Sequence, residues 1–157
     1  MTSARWVPDL APRNVLLGIR DGSAFGVALR GGAARRIAGE RALARAGHDA
    51  LVDHLAPLVD ALVARRLRPR RALWRAAGDR VVQAFLWCAE AFAAPARARR
   101  LATLLLEPPS PLHVPVQAAT GEDGAPLHLR ASCCLYHRVP DATPCPGCPL
   151  LRPRRRR

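Results

Sequence analysis

The chain has 157 residues, half of them hydrophobic, and this is enough apolar material for one globular domain with a buried core. The composition excludes a disordered protein, and the low aromatic content of 4%, with Ala, Leu and Val dominant, favours helices. The formal net charge is +13, and all 25 basic residues are arginine. This charge predicts attraction of anions in general, but because the arginines are scattered along the chain, it does not by itself indicate nucleic-acid binding.

The first part of the chain indicates a cytoplasmic protein that begins with a β-hairpin. Met1–Asp9 contains no apolar core of a secretory signal, and the most apolar stretch, Val81–Ala94, is too short and too polar to span a bilayer. Two apolar runs, Val15–Arg20 and Ser23–Arg30, flank Asp21-Gly22, and this pattern is typical of a β-hairpin.

A helical body is predicted over about residues 33–107, in three parts. The first part extends to about Leu67, and Pro57 is expected to break or kink it because proline removes a helical N–H donor. The second part, Arg71–Phe92, is expected to be buried on more than one face. The third part, Ala94–Glu107, is shorter and has one leucine-rich face.

After a proline-rich stop, a second hairpin is predicted from apolar runs at 114–117 and 127–130 on either side of a Gly- and Asp-containing turn. The fold class predicted is mainly α with one or two small β-hairpins (α+β), ending in a cysteine-rich loop. We expect a single domain over residues 1–151 and a disordered, arginine-rich tail at 152–157.

Four cysteines near the end of the chain have the spacing C-C-x10-C-x2-C. They are Cys133, Cys134, Cys145 and Cys148. In a reducing compartment such a set indicates metal binding or redox chemistry. Adjacent cysteines rarely bind one tetrahedral ion, whereas the two irons of a [2Fe–2S] cluster offer separated positions for four thiolates. A four-cysteine zinc site, two disulfides and a thioredoxin-like pair remain open as alternatives.

The segment Arg130–Leu150 closely resembles the C-terminal [2Fe–2S] signature of the FhuF-like ferric-siderophore reductase family, which has the same cysteine spacing. His54–Leu58 and Arg71–Arg75 resemble the helical body of that family, although the residues after Leu73-Trp74 depart from its pattern. The chain is also expected to lack an N-terminal helical part that longer relatives carry. The resemblance implies a cluster-binding segment at 127–150 whose ligands are Cys133, Cys134, Cys145 and Cys148.

The function implied by the resemblance is electron transfer that reduces ferric iron bound to an anionic siderophore, so that iron is released in the cytoplasm. A ferredoxin-like or flavin-dependent protein would donate the electron, membrane contact would be peripheral at most, and nucleic acid is not expected as a partner. The alternatives are an iron–sulfur regulator that binds nucleic acid, a truncated cluster-binding relative without reductase activity, and a structural zinc protein.

Four other residues carry expectations of their own. Cys88 is expected in the core, because a free cysteine behaves as a small apolar residue. Asp79 is expected to pair with a nearby arginine of its own helix. Tyr136 is expected to pack as a lid near the cysteines, and His137 is expected to face solvent.

Overall fold

The computed structural model describes residues 6–21, 23–121 and 124–151. Within these ranges the chain has three α-helices and three two-stranded antiparallel sheets, which confirms the predicted α+β fold class. The chain forms two compact units, Met1–Arg65 and Arg66–Arg157. The predicted tail at 152–157, Gly22 of the first turn and residues 122–123 of the second lie outside the described residues.

The first unit contains two antiparallel strand pairs and one long helix. Strands β2 (Val15–Arg20) and β3 (Ser23–Leu29) form the predicted hairpin, with a register shift between Gly18 and Ile19. Strand β1 (Trp6–Pro8) pairs with β4 (Ala34–Arg36). The prediction of helix from residue 33 was wrong for β4, because its backbone groups pair with β1, which a local periodicity cannot show.

Helix α1 extends from Glu40 to Ala64 and passes through Pro57 without a break. A break at this position was therefore wrong, while the alternative, a kink, stays a prediction: proline removes one N–H donor, and the remaining hydrogen bonds of a 25-residue helix hold it together. Ala44, Ala46 and Val59 are its buried residues, whereas Leu58 is exposed.

The second unit is built on helices α2 (Arg70–Ala91) and α3 (Pro95–Leu105), which pack against each other. The buried residues of α2 recur every three or four positions and form one face: Trp74, Gly78, Asp79, Val82, Gln83, Leu86 and Ala89. The expectation that α2 is buried on more than one face was wrong, since Trp87 is 57% exposed and Cys88 is exposed as well.

A small hairpin, β5 (Ala118–Thr120) and β6 (Pro126–His128), packs on α2. The predicted strand at 114–117 was wrong, because Val114 lies in the core beside Gly78 and the first strand of the hairpin begins only at Ala118. A Cβ at position 78 would lie 2.1 Å from the carbonyl oxygen of Leu112, so glycine permits this close approach.

Candidate metal centre

Strand β6 is fixed to α2 by the side chain of Gln83. Its Nε2 donates to the carbonyl oxygen of Pro126 at 3.1 Å, and its Oε1 accepts from the amide of His128 at 2.8 Å. His128 Nδ1 lies 3.0 Å from the carbonyl oxygen of Gln117 at the other side of the hairpin. Both ends of β6 are therefore held before the chain enters the cysteine-bearing segment.

Asp79 of α2 forms a second attachment, to the residues that directly precede the first cysteine pair. Its side chain is 2% exposed; Oδ1 accepts from His128 Nε2 and from the amide of Ala131, both at 2.9 Å. Its Oδ2 accepts from the amide of Ser132 at 2.9 Å and from the Ser132 hydroxyl at 2.5 Å. Burial raises the pKa of Asp79, but the hydrogen bonds from His128, Ser132 and Ala131 outweigh burial and hold that pKa below its ordinary value.

Sequence reasoning did not find this arrangement, and the expectation that Asp79 pairs with an arginine of its own helix was wrong. The available signal was positional: Asp79 lies at helical spacing between Trp74 and Val82, on the face that proves to be buried. A carboxylate on such a face needs partners, but nothing local in the sequence indicates His128 or Ser132 as those partners.

The first cysteine pair follows Ser132 directly. Cys133 Sγ lies 3.4 Å from the amide nitrogen of Leu135, and the carbonyl oxygen of Cys133 accepts from Arg68 at 2.9 Å. The backbone amide of Tyr136 points at Cys134 and lowers the pKa of the Cys134 thiol; burial opposes this, and Cys145 and Arg130 add to the lowering. Backbone amides therefore face both sulfurs of this pair.

The second cysteine pair forms a tight turn in which the amide of Cys148 donates to the carbonyl oxygen of Cys145 at 3.0 Å. Gly147 has a positive φ of 67°, and a Cβ there would lie 2.3 Å from the carbonyl oxygen of His128. The amide of Arg130 donates to the carbonyl oxygen of Gly147 at 3.1 Å. The turn is thus seated directly against the end of β6, and Cys148 is 4% exposed.

The two pairs meet at Cys134 and Cys145, whose sulfur atoms are 3.6 Å apart. Arg130 Nη1 lies 3.0 Å from Cys145 Sγ. Burial raises the pKa of the Cys145 thiol, the Cys134 thiol raises it further, and the positive charge of Arg130 opposes both. All five cysteines, each within the described residues, are free thiols.

Cys133 and Cys148 complete the predicted set: Cys133 directly precedes Cys134, and the nearby Cys148 thiol adds to the raised pKa of Cys145. Across the described ranges, no group of three or more His, Cys, Asp or Glu side chains is arranged to hold a single metal ion. The structure thus brings two of the four predicted ligands into contact, and places the other two within a few residues of them.

Of three residues with predicted environments, one has the predicted exposure and two do not. His137 is exposed as predicted, and its Nδ1 lies 3.6 Å from Cys133 Sγ. Tyr136 is 54% exposed, so the prediction that it packs as a lid was wrong. Cys88, predicted in the core, is exposed on α2, because that residue falls outside the single buried face of the helix.

Comparison with known protein families accounts for both parts of the chain. Residues 1–122 match the family model described as ferric iron reductase FhuF-like transporter, and residues 130–150 match the FhuF 2Fe-2S C-terminal domain. The chain belongs to the FhuF-like ferric iron reductase family. This FhuF-like chain carries a [2Fe–2S] cluster, as its C-terminal match indicates. Neither the curated proteins nor the solved structures gave a match to the chain. No helix in the described ranges is long and apolar enough to cross a membrane.

The residues of this FhuF-like protein fit such a cluster chemically. Cysteine thiolates are the usual donors to a [2Fe–2S] centre, and four of them lie within the segment 130–150 that matches the family model. The amide of Leu135 and the guanidinium of Arg130 both point at cysteine sulfurs, where they stabilise negative charge.

Proposed function

We propose that Cys133, Cys134, Cys145 and Cys148 are the four thiolate ligands of the [2Fe–2S] cluster. The contact of 3.6 Å between the sulfurs of Cys134 and Cys145 supports this assignment most directly, since it joins the two halves of the motif. Gly147 of the second cysteine turn is seated against His128 of β6, and Ser132, which precedes the first cysteine pair, is bound to Asp79 of α2. Because Asp79 also binds His128, both cysteine pairs are attached to one buried Asp79–His128 pair.

We propose that the protein reduces ferric iron bound to an anionic siderophore in the cytoplasm. Hard oxygen ligands hold Fe(III) far more tightly than Fe(II), so one electron is enough to loosen the chelated iron. When bound, the cluster supplies that single electron, and a ferredoxin-like or flavin-dependent protein restores it. The chelated iron, as the substrate, would gain this one electron and pass from Fe(III) to Fe(II).

The arginine-rich chain favours an anionic chelate or an acidic electron donor. The formal charge of +13 gives an attractive field for either, and Arg130 and Arg138 lie close to the cysteines in sequence. Reduction is therefore expected to slow as salt is added, because salt screens attraction between exposed charges. A rate that does not change with ionic strength would remove the electrostatic part of this proposal.

An anaerobic preparation tests the cluster and then the reaction. The protein should be brown as prepared and should give a one-electron paramagnetic signal once it is reduced. Ferric hydroxamate or catecholate chelates should then reoxidise it with release of Fe(II). Colourless protein with stoichiometric zinc would contradict the cluster assignment. Stable reduced protein in the presence of the chelates would contradict the reductase assignment, and DNA binding that weakens steeply with salt would then indicate a regulator.

A further inference from the structure

The carboxylate of Asp79 lies at the end of β6, under the residues that lead into the first cysteine pair. It accepts hydrogen bonds from the amides of Ala131 and Ser132, from the Ser132 hydroxyl and from His128 Nε2. A carboxylate has about four lone-pair positions, so these four donors use its whole accepting capacity. Neither the Asp79 nor the His128 side chain is more than 2% exposed, so water does not replace a lost partner easily.

We infer that Asp79 is a positioning residue for the cluster: it fixes the backbone at Ala131 and Ser132 and thereby sets the direction in which Cys133 and Cys134 leave the scaffold. This inference rests on the proposed assignment of those cysteines as ligands. Two of the four hydrogen bonds go to consecutive backbone amides, a geometry that fixes the orientation of both peptide planes. The next residue in the chain is Cys133 itself.

His128 completes the arrangement by orienting the carboxylate. Its Nδ1 faces the carbonyl oxygen of Gln117, which can only accept, and its Nε2 faces Asp79 Oδ1. Both ring nitrogens thus lie at hydrogen-bond distance from oxygen atoms on opposite sides, and these two contacts fix the orientation of the ring. Because the Cβ of any residue at position 147 would strike the carbonyl oxygen of His128, the same residue also bounds the second cysteine turn.

The chain offers variants that separate positioning from general stability. Asp79→Asn keeps the shape of the side chain but leaves one accepting oxygen, and its NH2 group faces donors. Gln83→Met is the matched control: it removes two buried hydrogen bonds from the same helix to β6, but none to residues 131–132. Ser132→Ala removes one hydroxyl from the carboxylate, and Ser132→Thr retains it.

The first measurement needs no cluster. Amide hydrogen exchange of the full-length apoprotein should be about tenfold faster at Ala131 and Ser132 in Asp79→Asn than in the unmodified chain, as expected for loss of a hydrogen bond to a charged group. Gln83→Met should leave exchange at these two amides within about twofold, even if it lowers global stability by the same amount. Equal exchange at Ala131 and Ser132 in all three proteins overturns the inference.

The second measurement follows the loaded protein. Asp79→Asn and Ser132→Ala should change the paramagnetic line shape and the reduction potential of the cluster, whereas Ser132→Thr and Gln83→Met should retain both. Equal changes in Gln83→Met would overturn the inference, because they would reflect stability alone. If Asp79→Asn does not fold, the comparison of Ser132→Ala with Ser132→Thr decides: different spectra support positioning, and identical spectra overturn it. Failure of the unmodified chain to bind iron contradicts the ligand assignment, while amide exchange still tests the attachment by Asp79.

Discussion

Asp79 and His128 are 49 positions apart in the sequence, and a hydrogen bond of 2.9 Å joins Oδ1 of the one to Nε2 of the other. Their side chains are 2% and 0% exposed. The pair connects helix α2 to the strand that leads into the cysteine segment. Because the contact is buried and satisfies the carboxylate of Asp79, its loss should affect both the stability of the second unit and the geometry of the cluster site.

Replacing any one of the four motif cysteines with serine should lower the bound iron and sulfide of the purified protein. The expected loss is at least about tenfold in affinity, since even outer partners of a metal site are worth about 10- to 100-fold. Iron and acid-labile sulfide analysis, with visible absorption, measures the result. Cys88→Ser is the matched control, because Cys88 is exposed on α2 and lies outside the motif. Loss of iron in that control, or full iron in a motif variant, would contradict the ligand assignment.

Arg130→Met should make the reduction potential of the cluster more negative. Arg130 Nη1 lies 3.0 Å from Cys145 Sγ, and hydrogen bonds and positive charge at sulfur favour the reduced cluster, which has one more negative charge. A hydrogen bond to a charged group is worth about 1.5–3 kcal/mol, and part of that difference should be visible in a potentiometric titration. Arg99→Gln removes one positive charge from helix α3, outside the cysteine motif in sequence, and should leave the potential unchanged. A potential that shifts equally in both variants would indicate only the loss of net charge.

Gly147→Ala should destabilise the cysteine turn more than Gly124→Ala destabilises its own turn. Both glycines have positive φ, 67° and 79°, so both substitutions cost about 1–2 kcal/mol in backbone strain. A Cβ at 147 also strikes the carbonyl oxygen of His128 at 2.3 Å, whereas at 124 it meets nothing within 4 Å. Overpacking adds a cost of about 1–3 kcal/mol, so urea unfolding should show a larger decrease in the free energy of unfolding for Gly147→Ala than for Gly124→Ala. An equal decrease in both variants would mean that the cysteine turn is not in close contact with β6.

Acid should unfold the unmodified chain more steeply than Asp79→Asn. Hydrogen bonds hold the pKa of Asp79 below its ordinary value of 3.8, so the folded state favours the ionised carboxylate. That stabilisation is complete above the ordinary pKa and is lost as the pH falls through 3.8 toward the lower pKa of the folded protein. Urea unfolding at several pH values between 7 and 2.5 measures it: the stability gap between the two proteins should narrow below about pH 4. A gap that stays constant over this range would contradict an ionised, hydrogen-bonded Asp79.

The sequence by itself determined the fold class, the positions of α2 and α3 and the set of four cysteines. These features depend on local spacing: helical periodicity follows from residues three and four apart, and the cysteine motif lies within 130–150. The same local reasoning was wrong where pairing is between distant segments. Residues 34–36 are a strand because β1 pairs with them, and Val114 is a core residue because Gly78 admits it.

Only the tertiary structure decided which polar groups support the cysteines. Asp79 is as polar as any other aspartate in the sequence, and its role depends on the face of α2 that meets β6. The packing of α2 on β6 brings His128, Ala131 and Ser132 to one carboxylate. Cys88, nine positions further along the same helix, is left exposed. The physical reason is that a buried charge must find its partners across the fold, because its own helix turn cannot supply them.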